Sequence, residues 1–382
     1  MSKPLFVLIS DSHLDPVTYQ DMEELRRDSE FGFRQGLELA RKLKLPVLSA
    51  GDTVECNPRD YPKPEIIKVL SSEFDKMQKL DLSFMYINGN HDKAVDGVSL
   101  PEAVNPNVAK NINGMLIALP NNQTLVGMNY VFHHELENAL SHVRELSNKG
   151  TLLMCHQRWK QFLNFDNSFD GTLTDIPNKF RQVISGDLHS AKLINVRTKK
   201  RDNPLQVLSP GATCKRASSE PDKHYAWIVG HDGKKFTFKK RLLKSRPVTY
   251  FQIDTLDDID SLMDSYKAIF NRIKSSTEDH PAEIRKPLAF ITGKIASENF
   301  EAIREVISPF FFVRKRGRDS RERSGERHEV ERIEDYDNAT ISVLHFVKDV
   351  AKSEASAKLV AQGLRADDKV AFMDTWEKSL GL

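Results

Sequence analysis

The chain has 382 residues, of which 39% are apolar and 29% are charged. Its 56 Lys and Arg residues nearly balance its 54 Asp and Glu residues, so the formal net charge is +2. This balance excludes a bulk polycation such as a histone, but nucleic-acid binding stays open because charge can be segregated along a chain. At about 150 residues per domain, the length predicts two domains and a tail.

The first half of the chain alternates between strand and helix patterns. Buried strands are predicted over 5–10, 46–50 and 83–88, separated by helical patterns over 20–44 and 63–80. This alternation is typical of β/α units in a layered sandwich. Further short strands are predicted over 151–155, 182–185, 192–196, 205–208, 225–229 and 236–239.

A break at Ser245-Arg246-Pro247 ends this first domain, which we place at 1–246. Strands over 249–253, 287–292 and 310–313 and helices over 256–274 and 298–307 predict a smaller α+β domain at 247–346. Within it, the charge-dense stretch 314–335 is interpreted as a loop and 339–346 as a returning strand. Residues 347–382 are helix-prone and form a third segment, a C-terminal helical tail, which either packs back on its own domain or presents an apolar face to a partner helix.

Cysteine usage and hydropathy predict where the protein works. Cys56, Cys155 and Cys214 form no C-x-x-C pair, which favours a reducing compartment over a disulfide framework. No apolar run approaches the length that spans a bilayer, and the run at 5–9 is too short for a signal peptide. We expect a soluble, cytoplasmic protein without a membrane partner.

Five polar motifs follow predicted strands. They are Asp11-Ser12-His13, Gly51-Asp52, Gly89-Asn90-His91-Asp92, Cys155-His156 and Gly186-Asp187-Leu188-His189. Because the carboxyl ends of strands form the functional edge of an α/β sheet, these side chains should converge. A lone histidine after a strand is more often structural, so the prediction of a functional site rests on all five motifs together. His133, His134 and His142 match no motif and are interpreted as structural.

The residue types in these motifs suit a pair of divalent cations. Two cations about 3.5–4 Å apart can clamp both oxygens of a phosphoryl displacement. Mixed histidine, aspartate and asparagine ligands suit Mn²⁺, Fe²⁺ or Zn²⁺ better than Ca²⁺.

The ordered motifs resemble those of the calcineurin-like metallophosphoesterase superfamily, D-x-H, G-D, G-N-H-D/E, a lone His and G-H-x-H, over about residues 5–245. The resemblance implies a four-layer α/β/β/α sandwich with a dinuclear site. It also implies that Asp11 and His13 hold the first metal and that Asp52 bridges both. Asn90 and His156 would hold the second metal, and His189 would return to the first.

The resemblance implies catalytic roles as well. His91 would lie beside the substrate phosphate and either protonate the leaving group or stabilise the transition state. Asp92 would orient His91, as carboxylates commonly do for an imidazole.

One position departs from the family pattern, because Gly186-Asp187 stands where the family has G-H. If Asp187 ligates the second metal, the extra negative charge favours Mn²⁺ or Mg²⁺. If it does not, the second site is weak and fills only at high metal concentration. The expected cofactor is two divalent ions, Mn²⁺ first and Mg²⁺ as the alternative.

A narrower resemblance is to SbcD-type nuclease subunits of double-strand-break repair and recombination, including phage recombination endonucleases. It lies in LSPGAT at 208–213, Arg216 and HYAWIV at 224–229. It implies a homodimer within a heterotetramer with a coiled-coil ATPase of the SbcC type. It also implies a location at the nucleoid, or in the host cytoplasm if a phage encodes the protein. It also implies that 247–346 is a capping, DNA-binding domain and that 347–382 docks on the ATPase. The chain has no G-x-x-x-x-G-K-[ST] loop of its own, so the ATPase is a separate subunit.

Charge is segregated at three stretches, 199–201, 234–246 and 314–327. Such stripes bind phosphate backbones without reading sequence, although charge runs are also often just solvated faces. The predicted DNA-binding residues are Lys239, Lys240, Arg241, Arg314, Lys315 and Arg316.

The sequence therefore favours a metal-dependent DNA nuclease subunit, with exonuclease or endonuclease activity on phosphodiester bonds in DNA end processing, repair and recombination. One alternative is a small-substrate metallophosphoesterase, acting as a phosphoprotein phosphatase or nucleotide phosphodiesterase. Another is a non-catalytic subunit with a degenerate site, whose only support is Asp187.

Overall fold

The computed structural model describes residues 2–15, 23–55, 64–92, 98–163, 169–197, 203–293 and 296–315. These residues form two six-stranded sheets and one three-stranded sheet. Among the helices of these ranges, none is both long and apolar enough to cross a membrane. The predicted strand at 339–346 and the tail at 347–382 lie outside the described residues.

The first large sheet contains four parallel strands, three of which belong to the predicted β/α units. Its order is β12-β11-β1-β2-β3-β4. Strands β1 to β4 are parallel to one another, β11 is antiparallel to β1, and β12 is antiparallel to β11. Its strands are β1 (Lys3–Ile9), β2 (Val47–Ser49), β3 (Phe84–Tyr86), β4 (Ala109–Asn111), β11 (Tyr225–His231) and β12 (Phe236–Leu242).

The second large sheet has the order β5-β6-β7-β8-β10-β9. The four inner strands are parallel, and the two edge strands are antiparallel to their neighbours. Its strands are β5 (Leu116–Leu119), β6 (Gln123–Met128), β7 (Leu152–His156), β8 (Gln182–Gly186), β9 (Lys192–Val196) and β10 (Leu205–Ser209).

Three hydrophobic cores separate four layers. One core lies between the two sheets and contains Leu8 and Leu48 from the first sheet and Met154 from the second. A second core packs helices against the outer face of the first sheet, and a third does so for the second sheet. These helices are α2 (Asp28–Leu43), α3 (Pro64–Gln78), α4 (Leu100–Val104) and α5 (Leu136–Leu146). The predicted α/β/β/α sandwich is confirmed.

Helix α2 lies unusually close to the strand that leads into the first motif. A Cβ atom placed on Gly36 would lie only 2.6 Å from Ile9 Cγ2. Phe33, Leu37 and Ala40 of the same helix are fully buried in the core against this sheet. The helix therefore fixes the end of β1, where Asp11 and His13 begin.

The third sheet is a separate parallel layer of β13 (Val248–Gln252), β14 (Leu288–Thr292) and β15 (Phe312–Lys315). Helices α6 (Leu256–Ser276) and α7 (Ala296–Ile307) pack on it around a core of their own. On this sheet, Leu288 and Phe290 contact Leu25 of the short helix α1 (Glu23–Arg26). The predicted division at 246/247 falls between β12 and β13 and stays a prediction.

Two sequence-based expectations need correction. Residues 314 and 315 were expected in a loop, but they extend β15 because Arg314 and Lys315 pair with Phe290 and Ile291 of β14. The sequence patterns also did not predict β4, β5 or β6, since β4 is only three residues long and β6 contains a glycine. All three are stabilised by pairing rather than by a strong local pattern, β4 with β3, β5 with β6, and β6 with β5 and β7.

Arg246 joins the third sheet to the first part of the chain. Its guanidinium donates to both Asp28 carboxylate oxygens, from Nε at 2.8 Å and from Nη2 at 2.7 Å. It also donates to the carbonyls of Lys286 and Glu283, at 2.6 and 2.9 Å. Only 3% of the Arg246 side chain is exposed, so this ion pair is buried.

Replacing Arg246 should therefore destabilise the fold. Arg246→Ala leaves Asp28 buried without its cation, and such a loss costs about 3–5 kcal/mol of unfolding free energy. Urea denaturation measures this cost. Lys244→Ala is the matched control, because Lys244 makes an exposed ion pair with Asp279 at 2.8 Å, worth about 0–1 kcal/mol. Equal losses in the two variants would contradict the role given to Arg246.

Candidate metal centre

The five motifs meet at one edge of the sandwich, where parallel strands of both large sheets end. The Asp187 backbone N–H, just after β8, donates to Asp11 Oδ1 at 3.0 Å, just after β1. The His156 Nδ1–H at the end of β7 donates to the Ala50 carbonyl, just after β2, at 2.8 Å. The two sheets therefore bring their motifs into direct contact.

Several of the predicted ligands have strained backbones. Asp11, His13, Asp52 and Asp187 have φ values of 48°, 42°, 50° and 77°. Residues other than glycine rarely adopt this left-handed region, and such strain clusters at functional sites. The turns aim these side chains across the edge of the sheets instead of along the strands.

Among the described residues, acidic and histidine side chains form three groups of possible ligand atoms, with the atoms of each group within 4.8 Å of one another. Two groups share Asp11: one is Asp11, His13 and His189, and the other is Asp11, Asp52 and His156. The third is His13, Glu55 and His91, in which Glu55 contacts both imidazoles. Asp52 Oδ2 lies between the first two groups, 3.4 Å from His13 Nε2 and 3.3 Å from His156 Nε2. This geometry fits the bridging position that the sequence predicted for Asp52.

A second observation, at Asp11, supports cation binding by these side chains. Asp11 Oδ2 is buried and, among the described residues, has no hydrogen-bond partner. An uncompensated buried carboxylate oxygen is costly, and a cation would satisfy it. Asp11, His13, Asp52, Asn90, His156 and His189 would hold the two ions.

Asn90 and Asp187 approach the second group from opposite loops. Asn90 Oδ1 lies 3.2 Å from His156 Nε2, whereas Asp187 Oδ1 is 3.9 Å from the same nitrogen. Asp187 Oδ2 also lies 4.0 Å from Arg158 Nε. Asp187 is thus close enough to reach an ion beside His156, but it shares its charge with Arg158.

A set of oxygen acceptors orients the site imidazoles. Glu55 contacts two of them, at 2.8 Å from His13 Nδ1 and 2.6 Å from His91 Nδ1, and Glu220 contacts His189 Nδ1. With the Ala50 carbonyl on His156, each Nδ1 is occupied and each Nε2 is left for the centre. Neither Glu55 nor Glu220 belongs to a motif, so the sequence patterns did not predict their role.

Asp92 does not orient His91, which corrects the sequence-based expectation. Its carboxylate accepts the backbone N–H groups of Thr53, Val54 and Gly89 at 3.1, 2.9 and 3.0 Å. Glu55 occupies His91 Nδ1 instead. Asp92 therefore ties the loop after β3 to the loop after β2, and it positions Asn90 and His91 only through the backbone.

The electrostatics favour a cation at this place. Burial raises the pKa of Asp52, but the neighbouring His156 and His13 outweigh it and hold that pKa well below its usual range. Burial lowers the pKa of His156, but Asp52, Asp11 and Asp187 outweigh it and raise that pKa well above its usual value. Burial raises the pKa of Asp187 to about 6. The lowered pKa of Asp52 thus reports the imidazoles beside it, whereas the raised pKa of His156 reports an excess of negative charge from the three carboxylates around that imidazole.

Arg216 is a cation close to this excess. Its Nη2 lies 3.6 Å from Glu55 Oε2, and only 12% of the side chain is exposed. Within the described ranges, its buried Nε and Nη1 have no hydrogen-bond partner. A buried guanidinium with open donors is suited to an anionic oxygen of a ligand.

The predicted DNA-binding residues lie apart from this cluster. Lys239, Lys240 and Arg241 are exposed on the edge strand β12, and the Lys240 ammonium lies 4.9 Å from the centre of the Tyr225 ring. Arg314 and Lys315 lie on β15 of the third sheet. Arg316 and the stretch 199–201 are outside the described residues.

Comparisons with known proteins add a sequence match. The chain is 22% identical over 213 residues to the DNA double-strand break repair protein Mre11 of Sulfurisphaera tokodaii. The match covers 51% of this chain and 51% of that protein, so the chain spans about half the length of this relative. No protein-family model matches the chain.

Two solved structures are similar to the chain at 12% identity. TT1561 of Thermus thermophilus has a TM-score of 0.37, over 62% of this chain and 98% of that one. A second structure has a TM-score of 0.39, over 63% and 99%. Both TM-scores are below 0.5, so neither likeness bears on function. The motif order and the Mre11 match together confirm a distant resemblance to the calcineurin-like metallophosphoesterase superfamily.

Proposed function

We propose that this protein is a metal-dependent nuclease subunit that hydrolyses phosphodiester bonds in DNA. The observation that carries the proposal is the pair of ligand groups that share Asp11 and meet at Asp52. When bound, two divalent ions would supply positive charge against the phosphate oxygens and activate water as the nucleophile. Mn²⁺ is the ion we favour, with Mg²⁺ as the alternative.

The proposed ligands divide between two sites. Asp11, His13 and His189 would hold the first ion, and Asn90 and His156 the second, with Asp52 shared. Asp187 would join the second site as a further carboxylate ligand, beside His156 and Arg158.

His91 is the imidazole best placed to meet substrate. Its side chain is 35% exposed, whereas those of His13 and His156 are fully buried. Glu55 holds His91 Nδ1 and stabilises the imidazolium, which leaves Nε2–H to give its proton to the leaving oxygen. Glu55 and Asp92 act as positioning residues, the first through the imidazole and the second through the loop backbone.

Arg216 supports a phosphate substrate. Its open Nε and Nη1 donors lie beside Glu55 and hence beside His91. A guanidinium fork binds two phosphate oxygens at once and would hold the scissile phosphate in place. This arrangement leaves His91 and Arg216 on the substrate side of the ions.

The basic edge strand supports a DNA substrate. Lys240 pairs with Trp227, which pairs in turn with Leu8 near the end of β1, so Lys239, Lys240 and Arg241 lie level with the edge that carries the motifs. Exposed cations on such a strand attract a phosphate backbone without reading its sequence. Arg314 and Lys315, on β15 of the third sheet, would be further DNA contacts.

The partner is part of the same proposal. The matched relative is named a DNA double-strand break repair protein, and the chain spans about half of it. We propose a homodimer in a heterotetramer with a coiled-coil ATPase of the SbcC type, docked on 347–382. The ATPase would supply the nucleotide hydrolysis for which this sequence has no P-loop.

A choice of substrates tests the activity. Purified full chain with Mn²⁺ should cleave DNA and hydrolyse the phosphomonoester p-nitrophenyl phosphate only slowly. Rapid hydrolysis of the phosphomonoester without cleavage of DNA would instead support the small-substrate phosphoesterase. Absence of both activities, with Mn²⁺ bound, would support a non-catalytic subunit.

A further inference from the structure

A short segment beside the metal centre carries three aromatic side chains that the proposed activity does not use. It follows β6 and holds Tyr130, Phe132 and His134, which we call the aromatic ledge. Tyr130 and Phe132 meet edge to face with ring centres 5.7 Å apart. Phe132 and His134 are nearly parallel, with ring centres 5.9 Å apart and 9° between the planes.

Phe132, at the centre of the ledge, is unusually exposed for a phenylalanine. Phe132 is 61% exposed, and within the described ranges it belongs to none of the hydrophobic cores. A single exposed apolar side chain is common, but Phe132 lies against two further rings and so belongs to an exposed aromatic patch, which is informative. The Phe132 ring is therefore available for contact with a ligand.

The ledge is fixed to the loop that carries Asn90 and His91. The Tyr130 N–H donates to the Asn88 carbonyl at 2.8 Å, and the Asn88 N–H donates to Asn129 Oδ1 at 2.8 Å. On its other side, His133 Nδ1–H donates to the Asp170 carbonyl at 2.5 Å. These bonds preorganise the rings at a set position relative to His91.

Arg158 and Asp187 lie between the ledge and the metal centre. The Arg158 guanidinium lies beside the Tyr130 hydroxyl and 4.0 Å from Asp187, which is 3.9 Å from His156. Arg158 is 41% exposed at the side chain, so it can contact a phosphate next to the one being cleaved. A ligand with alternating phosphates and flat rings would match this sequence of groups.

We propose that the aromatic ledge binds an unpaired nucleobase of the DNA strand whose phosphate lies at the metal centre. This inference rests on the proposed function, and it adds a preference for single-stranded DNA next to the cleavage site. Bases stack on exposed aromatic rings regardless of sequence, since every base has a π face. Three residues give too small an apolar area for a stable protein partner, which would need about 800 Å² from each side.

Binding of two fluorescent strands by the full chain tests the ledge, in EDTA so that the probes stay intact. One is a single-stranded oligonucleotide, and the other is an abasic strand of the same length and charge. Phe132→Ala should weaken binding of the normal strand by about 5- to 150-fold, as expected for one lost stack. It should leave binding of the abasic strand unchanged. Leu193→Ala, which truncates another exposed apolar side chain on β9, is the matched control.

Phe132→Trp should restore most of the binding, because tryptophan also stacks. The proposal is overturned if Phe132→Ala binds the normal strand like the wild type, if it loses both strands equally, or if the wild type does not distinguish the strands. A wild type that uses Phe132 to bind bases but fails to cleave DNA with Mn²⁺ would overturn the proposed function and leave the ledge standing.

Discussion

His91→Ala should abolish DNA cleavage while leaving Mn²⁺ binding intact. We expect a loss of about 10²- to 10⁴-fold in kcat, the range that general acid catalysis contributes. The physical reason is the separation of roles around this residue: Glu55 fixes Nδ1, the backbone N–H donates to Asp52 Oδ1 at 2.9 Å, and Nε2 is left for substrate. The backbone contact survives truncation, so Asp52 keeps its place.

Initial rates on linear DNA and a calorimetric Mn²⁺ titration of the same preparation measure the two parts of this prediction. His142→Ala is the control, because His142 is an exposed histidine on α5 outside the ligand groups. A variant that loses Mn²⁺ would show that His91 is a ligand. A variant that cleaves like the wild type would remove it from the mechanism.

Asp52→Asn should lose both metal ions together with cleavage. Asp52 is the acidic group between the two ligand sets, 3.4 Å from His13 Nε2 and 3.3 Å from His156 Nε2. The amide keeps an oxygen for the His91 backbone N–H but carries no negative charge. The centre would then hold one charge fewer against two divalent cations.

Thermal unfolding with and without Mn²⁺ measures this effect. A ligand at 100 times its Kd stabilises the wild type by about 2.7 kcal/mol per site, and the variant should show little of this gain. Asp232→Asn, a change at an exposed turn, should keep the full Mn²⁺ shift. An Asp52→Asn variant that is stabilised by Mn²⁺ as strongly as the wild type would contradict the shared position.

The sequence was sufficient to predict that the motif side chains meet, because each motif is a short, contiguous signal at the end of a strand. Glu55 and Glu220 could not be predicted in the same way. They reach His91 and His189 across 36 and 31 positions in the chain, through contacts that only the packing of the loops creates. Arg216 belongs to the segment that resembles SbcD-type subunits. That its Nε and Nη1 have no hydrogen-bond partner among the described residues can be known only from the folded structure.

The error about Asp92 has the same origin. Adjacency to His91 in the sequence suggested contact between the two side chains. The turn at Gly89-Asn90 directs the Asp92 carboxylate to three backbone N–H groups instead, and it leaves the imidazole to Glu55. The side chains of sequence neighbours in a tight loop commonly point in different directions. His91 is therefore oriented by Glu55, which follows a different strand.

Cleavage of DNA by the purified full chain across a metal series tests the central claim most directly. We predict that linear DNA and single-stranded circles are degraded or nicked with Mn²⁺, more slowly with Mg²⁺ and not at all in EDTA, and that Asp52→Asn is inactive throughout. Intact DNA in every metal, alongside rapid hydrolysis of p-nitrophenyl phosphate, would contradict the nuclease assignment.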